Sequence, residues 1–203
     1  MAAVSETIVR EFFELHGFLV QQRRKYITPT RRGAEEEVDF LVYNPHPRTA
    51  GSEPELPFVL GSDDVERLTR AVVVVKGWHT ETFGPGVLAS SPEIFRFVHA
   101  AVFKEAARAL GGEGPLTKIL VVPGLPQSIE ARQKSIELLR SKGIDAVIPF
   151  RTMLAALVDR VEVNRNYQKS DLLQIIRILK NYDFIKGPQL DLFKPRRRRT
   201  RGS

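Results

Sequence analysis

Residues 70–79 read RAVVVVKGWH, in which four consecutive valines are followed by a lysine and a glycine. These consecutive valines do not alternate with polar residues, as they would in a strand with one solvated face. Such a run is typical of a strand that is buried on both faces of a sheet. The segment therefore predicts the central strand of an α/β domain, with Lys76 at its polar end.

Upstream of this segment, the sequence predicts one helix and two strands. Apolar residues recur at helical spacing over 4–15, with Ser5 as a candidate N-cap and Gly17 as the left-handed exit. FLVQQRRKYITP at 18–29 indicates a strand that begins apolar and turns polar. EEEVDFLVYNP at 35–45 indicates a second strand.

Asp39 lies within the second of these predicted strands. Because side chains alternate along a strand, Val38, Phe40 and Val42 are expected to share one face. Asp39 is expected on the opposite face together with Leu41 and Tyr43. A strand carboxylate in this position is either hydrogen-bonded within the sheet or available for chemistry.

Downstream of residue 80, helices and strands are predicted to alternate. We expect a loop over 82–91 and a single helix over 91–110, started by Pro92. The later elements are predicted as strands at 118–124 and 144–150 and helices at 128–143, 151–163 and 169–184. The αβ steps require parallel pairing, so the fold class is α/β, a mixed sheet with helices on both faces.

Composition limits the class of protein. With 42% hydrophobic and 27% charged residues over 203 positions, the chain has enough apolar material for a core. No apolar run approaches the roughly 20 residues that span a bilayer. The N-terminal stretch lacks the apolar region of a signal peptide. The absence of cysteine excludes disulfides, thiolate zinc sites and a cysteine nucleophile, and is compatible with the cytoplasm.

The net charge of +7 is concentrated at the C-terminus. Residues 194–203, KPRRRRTRGS, hold six basic residues and no acid, which leaves 25 basic and 24 acidic residues elsewhere. Attraction to nucleic acid is therefore a property of the tail rather than of the body. The residues predicted to contact phosphates are Arg196, Arg197, Arg198, Arg199 and Arg201, with a solubilising end as the alternative.

The order of elements and the positions of three polar residues resemble the PD-(D/E)XK nuclease superfamily, also called the restriction-endonuclease-like fold. The resemblance covers about residues 5–150 and implies an αβββαβ core. It implies that Asp39 binds a divalent metal and that Lys76 steers the attacking water or contacts phosphate. It also implies that Glu6, on the first helix, helps to hold the metal or its waters. The implied cofactor is Mg²⁺, with Mn²⁺ as a substitute.

The chain departs from the family pattern at position 74. The family places an acid two residues before the lysine, and this chain has Val74 there. Glu81 is the tentative replacement metal ligand, and Glu93 and Glu105 are further candidates. A metal-poor site, a fold retained only for binding, and purely structural roles for Asp39 and Lys76 stay open.

Two residues after Lys76 also suit nucleic-acid chemistry. Trp78 is a candidate for stacking on a base, and His79 for a metal ligand or proton donor. Both follow a strand's carboxyl end, where ligands bind in open α/β sheets. Packing of the Trp under a loop is the alternative.

A short motif near the C-terminus is similar to the sliding-clamp-binding peptide of bacterial replication and repair proteins. It consists of Gln189, Leu190, Asp191, Leu192 and Phe193. In this mode of extended-peptide capture, Leu192 and Phe193 fill an apolar pocket and Gln189 hydrogen-bonds at its rim. A last strand or helix end packed on the body is the alternative.

These features together predict a nucleoid-associated bacterial DNA-transaction protein. Its expected parts are a PD-(D/E)XK-like domain at 1–160, a helical extension at 161–187 and a basic tail at 188–203. Expected partners are DNA and the sliding clamp. The domain is either a divalent-metal deoxyribonuclease or a degenerate DNA-binding version. The alternative is a non-enzymatic adaptor for replication or repair.

Overall fold

A five-stranded mixed sheet forms the centre of the described part of the chain. The computed structural model describes residues 2–23, 38–48, 55–77, 79, 82–111 and 114–185. The strands lie side by side in the order of the sequence: Leu19–Gln22 (β1), Phe40–Tyr43 (β2), Arg70–Val75 (β3), Thr117–Val122 (β4) and Ala146–Pro149 (β5). The pairs β1–β2 and β2–β3 are antiparallel, whereas β3–β4 and β4–β5 are parallel. The predicted mixed sheet is confirmed.

Strand β3 occupies the middle of this sheet. The side chains of Val72, Val73 and Val74 are at most 2% exposed. Val73 packs into one apolar layer, whereas Val72 and Val74 pack into the other. The prediction of a central strand buried on both faces is confirmed.

Helices cover both faces of the sheet. One layer contains Ala2–Leu15 (α1), Ser62–Val65 (α2), Phe150–Arg160 (α6) and Asp171–Asn181 (α7). The other contains Pro85–Ser90 (α3), the 3₁₀ helix Pro92–Val98, Ala100–Leu110 (α4) and Ile129–Ser141 (α5). Of these described helices, none is long and apolar enough to cross a membrane.

Helix α7 belongs to the predicted C-terminal extension and packs on the body. It contacts α1 and α6, and Leu173 and Ile176 join the apolar layer around Val73. The predicted tail at 188–203 lies outside the described residues.

The segment 82–110 differs from its prediction in two ways. The expected loop contains α3, and the expected single helix is divided at His99, whose backbone is extended with φ −57° and ψ 138°. Before His99, the chain forms a 3₁₀ helix that buries Ile94 and Phe97. Residues three apart eclipse each other in a 3₁₀ helix, so the apolar spacing resembles that of an α-helix. Apolar periodicity alone could not reveal the break.

Helix α1 begins earlier and ends as predicted. It starts at Ala2, so the prediction that Ser5 caps its N-terminus is wrong. Gly17 adopts φ +82°, and the N–H of Phe18 donates to the carbonyl of Phe13 at 3.1 Å. The predicted left-handed glycine exit is confirmed.

His16 connects the last turn of α1 to the start of α2. Its Nδ1–H donates to the carbonyl of Phe12 at 2.7 Å, which leaves Nε2 to accept from the Ser62 hydroxyl at 2.9 Å. Burial of the ring lowers the pKa of His16 below its ordinary value. The folded protein therefore favours the neutral imidazole.

Protonation of His16 is expected to destabilise the fold in mild acid. The unfolded chain takes up the proton as the pH falls through about 6.5, whereas the folded chain resists it. The free energy of unfolding should therefore be at its full value above this pH and decline below it. Urea titrations between pH 5 and 8, in steps of roughly one pH unit, should show a shallower decline for His16→Gln than for His99→Gln, an exposed control. Equal declines in the two variants would contradict this role.

Candidate functional site

The candidate site lies at one edge of the sheet, where β1 and β3 end and β2 begins. Because β2 is antiparallel to both neighbours, its first residue lies beside their last residues. Phe40 is in register with Gln22 of β1 and with Val73 of β3. Asp39 precedes Phe40, and Lys76 follows β3. The strands next to Asp39 and Lys76 are therefore neighbours in the sheet.

Asp39 joins all three strands at this edge. It is only 7% exposed, and its Oδ2 accepts from the N–H of Val75 at 2.7 Å. Its own N–H donates to Val73 O at 3.2 Å, and its carbonyl accepts from the N–H of Arg23 at 2.8 Å. The carboxylate thus completes the hydrogen bonding of β3 at a point where β2 has not yet begun.

The predicted position of Asp39 in the middle of a strand is wrong. Strand β2 begins at Phe40, and Val38 packs in the same apolar layer as Leu41 rather than opposite it. Regular alternation would separate Val38 from Leu41. At the position where the alternation fails, the side chain of Asp39 rather than a strand backbone accepts from the N–H of Val75.

Lys76 continues β3 by one hydrogen bond beyond the buried valines. Its N–H donates to the carbonyl of Val121 at 3.0 Å, and the residue is half-buried. Residues two apart on a strand share a face, so Lys76 shares the face of Val74. Asp39 is one residue before the Phe40–Val73 pair and therefore stands opposite Val74 in register. The backbones of Asp39 and Lys76 therefore lie at the same edge of the sheet.

Glu6 reaches the same edge from α1. Its Oε2 accepts from Nε2 of Gln22 at 2.7 Å. Gln22 ends β1 beside Phe40, and Arg23 follows it with its N–H on Asp39. Sequence reasoning did not select Gln22 or Arg23. The sequence signal that could have identified them was the polar run that begins at Gln21, directly after the apolar residues at 18–20.

The replacements considered for the acid missing at position 74 have different surroundings. Val74 itself is buried at 2% exposure. Glu105, on α4, pairs with the guanidinium of Arg23 at 3.6 Å, and the backbone N–H of the same arginine donates to Asp39. Glu93 lies on the 3₁₀ helix. Among the described residues, no group of three or more His, Asp or Glu side chains is arranged to hold a metal ion.

Several predicted site residues fall outside the part of the chain that the structure describes. They include the tentative metal ligand, the candidate stacking residue, the clamp-binding-like peptide and the arginine run. These residues are Glu81, Trp78, Gln189, Leu190, Asp191, Leu192, Phe193, Arg196, Arg197, Arg198, Arg199 and Arg201.

The loop after β3 packs against the first turns of α1. Ser5 is 2% exposed, and its Oγ lies 3.0 Å from Nε2 of His79. The ring of His79 contacts Phe150 edge-on, with 4.6 Å between centroids. A Cβ added to Gly77 would lie 2.5 Å from Ser5 Oγ. Close approach of the helix therefore requires glycine directly after Lys76.

A separate groove of about 480 Å³ lies between α2 and α6. Its lining includes Asp63 and Asp159 as well as Arg151 and Arg160. Arg160 is held by Glu66, whose pKa is lowered mainly by that hydrogen bond. Because charges of both signs line the groove, it does not favour a polyanion such as DNA.

No family model, curated protein or solved structure matched the chain. The function is therefore inferred from the chain's own residues and geometry.

Gly77→Ala should destabilise the protein by about 1–3 kcal/mol, because the new methyl group collides with Ser5. Gly86→Ala is the matched control, since a Cβ there meets nothing within 4 Å and alanine favours its helix. Urea denaturation should separate the two variants. The double variant Gly77→Ala/Ser5→Gly, which removes the contacted atoms, should recover part of the loss. A neutral Gly77→Ala would show that the contact is not tight in solution.

Proposed function

We propose that this chain is a DNA-transaction protein with a PD-(D/E)XK-like domain that hydrolyses phosphodiester bonds in the presence of Mg²⁺. The element order is consistent with the αβββαβ core that the proposal requires, since α1 precedes three antiparallel strands and parallel αβ steps follow. The reacting groups would be Asp39, Lys76 and Glu6.

The observation that carries this proposal is the hydrogen bond from Val75 N–H to the Asp39 carboxylate at 2.7 Å. It brings a buried acid next to the strand end that bears Lys76. A carboxylate and an ammonium group at one edge of the sheet can have complementary roles in phosphodiester hydrolysis. The acid attracts a cation, and the lysine contacts a phosphate oxygen or orients the attacking water.

In this proposal, the carboxylates of Asp39 and Glu6 would hold a magnesium ion at this edge. Mg²⁺ is commonly held by one or two carboxylates, together with waters and substrate phosphates. Asp39 and Glu6 provide carboxylates of this kind, and Gln22 orients Glu6 through its amide. When bound, the ion would neutralise phosphate charge and lower the pKa of a bound water.

A degenerate, DNA-binding version of the same domain is the second candidate. It is favoured by the buried Val74, which takes the position of the family's acid, and by the pairing of Glu105 with Arg23. In that version Asp39 has a structural role, because it accepts the hydrogen bond from Val75 N–H. The broader function would then be that of a non-enzymatic adaptor.

A nuclease assay with Mg²⁺ or Mn²⁺ on single-stranded, duplex and branched DNA separates these candidates. Asp39→Asn keeps an oxygen for Val75 N–H but loses the charge, so cleavage should fall at least about 100-fold while the fold survives. Lys76→Ala should have a similar effect. Lys134→Ala, at an exposed site on α5, should cleave normally.

Cleavage that needs no metal, or that survives both site substitutions, would contradict this active site. DNA binding without cleavage of any substrate would support the degenerate version. Neither binding nor cleavage would support the adaptor.

We further propose that residues 189–193, QLDLF, tether the domain to the bacterial sliding clamp. The motif begins four residues after Ile185, the last described residue, and the arginine run follows it. A tether raises the effective concentration of the domain near DNA, so a weak catalytic or binding module can act there. The arginine run would then contact the DNA that the clamp encircles.

A peptide covering residues 186–195 should bind a bacterial sliding clamp with micromolar affinity. Burial of Leu192 and Phe193 contributes on the order of 2 kcal/mol each before ordering costs. The double substitution Leu192→Ala/Phe193→Ala in the full chain should abolish binding in calorimetry. Phe184→Ala, an exposed phenylalanine ahead of the motif, should leave it unchanged. Absence of wild-type binding would exclude the tether.

A further inference from the structure

Helix α7 has a second apolar stripe that its packing on the body does not use. Leu173 and Ile176 point into the core and are 5% and 6% exposed. On another side of the helix, Ile175 is 54%, Ile178 45% and Tyr182 73% exposed. Among the described helices, α1, α5 and α6 each expose a single large apolar residue, whereas α7 exposes this row.

The spacing of the stripe is that of a helix–helix seam. Asp171, Ile175, Ile178 and Tyr182 are separated by four, three and four positions, the spacing of a heptad seam. At about 100° per residue they lie within an arc of roughly 60°. Asp171 is exposed at the first turn, and Tyr182 caps the last.

We propose that α7 pairs with α7 of a second copy of this chain in an antiparallel dimer. This inference is independent of the proposed function. With the two-fold axis between positions 176 and 177, Ile175 meets Ile178 of the second copy, and Asp171 meets its Tyr182. A two-fold interface must be self-complementary, and this stripe meets that condition along its whole length.

The chemistry of the stripe selects the antiparallel orientation. In that orientation the Tyr182 hydroxyl donates to the Asp171 carboxylate at each end of an isoleucine centre. Opposed helix dipoles are also favourable. A parallel pair would instead place Asp171 against Asp171, which like-charge repulsion disfavours.

The contact is small. The eleven residues of α7 extend about 16 Å. Two helices of this length bury less surface than the roughly 1,600 Å² that a standard stable complex buries. We therefore expect association in the micromolar range, visible as a mass that rises with protein concentration.

Light scattering or sedimentation across a concentration series tests the dimer on the full chain. The wild-type mass should rise from 22.9 kDa toward twice that value. Ile178→Asp should weaken association at least about tenfold, while Ile129→Asp, at an 87% exposed site on α5, should associate as the wild type. Circular dichroism checks the fold of both variants.

Cysteine cross-linking tests the orientation, because the chain has no native cysteine. When Asp171→Cys and a tagged Tyr182→Cys are mixed and oxidised, an antiparallel pair gives the mixed disulfide. A parallel pair gives each variant linked to itself, because the two positions are about 16 Å apart along the helix and a disulfide needs a short Cα–Cα distance.

Three outcomes would overturn the proposal: a monomer at every concentration, an association that Ile178→Asp does not weaken, or self-linked cysteine products. A monomer whose binding to a sliding clamp is weakened by Ile178→Asp would assign the stripe to that partner instead.

Discussion

The burial of β3 on both faces determines how the other strands and the helices are arranged around it. A strand without a polar face must have a paired strand on each side and an apolar layer above and below it. Strands β2 and β4 pair with β3 on its two sides. The apolar layer that contains α1 covers one face, and the apolar layer that contains α4 covers the other. The helices of the chain are therefore divided between two faces, and β3 lies in the third position of five.

This constraint also determines where polar chemistry can occur. Between Arg70, at the start of β3, and Lys76, at the edge of the sheet, the valines leave no room for a charged side chain. At that edge β2 has not yet begun, so the N–H of Val75 needs an acceptor, and Asp39 supplies it. The presence of Asp39 and Lys76 at this edge is thus a consequence of how the buried strand ends.

Residues with strong local preferences were predictable. The valine run indicated the central strand, and Gly17 indicated the end of α1 through the left-handed conformation that glycine adopts easily. The locations of Asp39 and Lys76 at the ends of neighbouring strands were consistent with the order of elements. The break at His99 was not predictable, because a 3₁₀ turn and an α-helical turn bury apolar residues at nearly the same spacing.

Local patterns in the amino-acid sequence were enough to establish the fold class, the central strand and the types of residue at the end of that strand. Each of these depends on patterns that are local along the chain, such as burial, periodicity and turn preference. Three contacts became apparent only in the folded molecule: the hydrogen bond of Asp39 with Val75, the bond of Gln22 with Glu6 and the close approach of Gly77 to Ser5. These contacts join residues distant in sequence, and their register depends on how the two helical layers pack on the sheet.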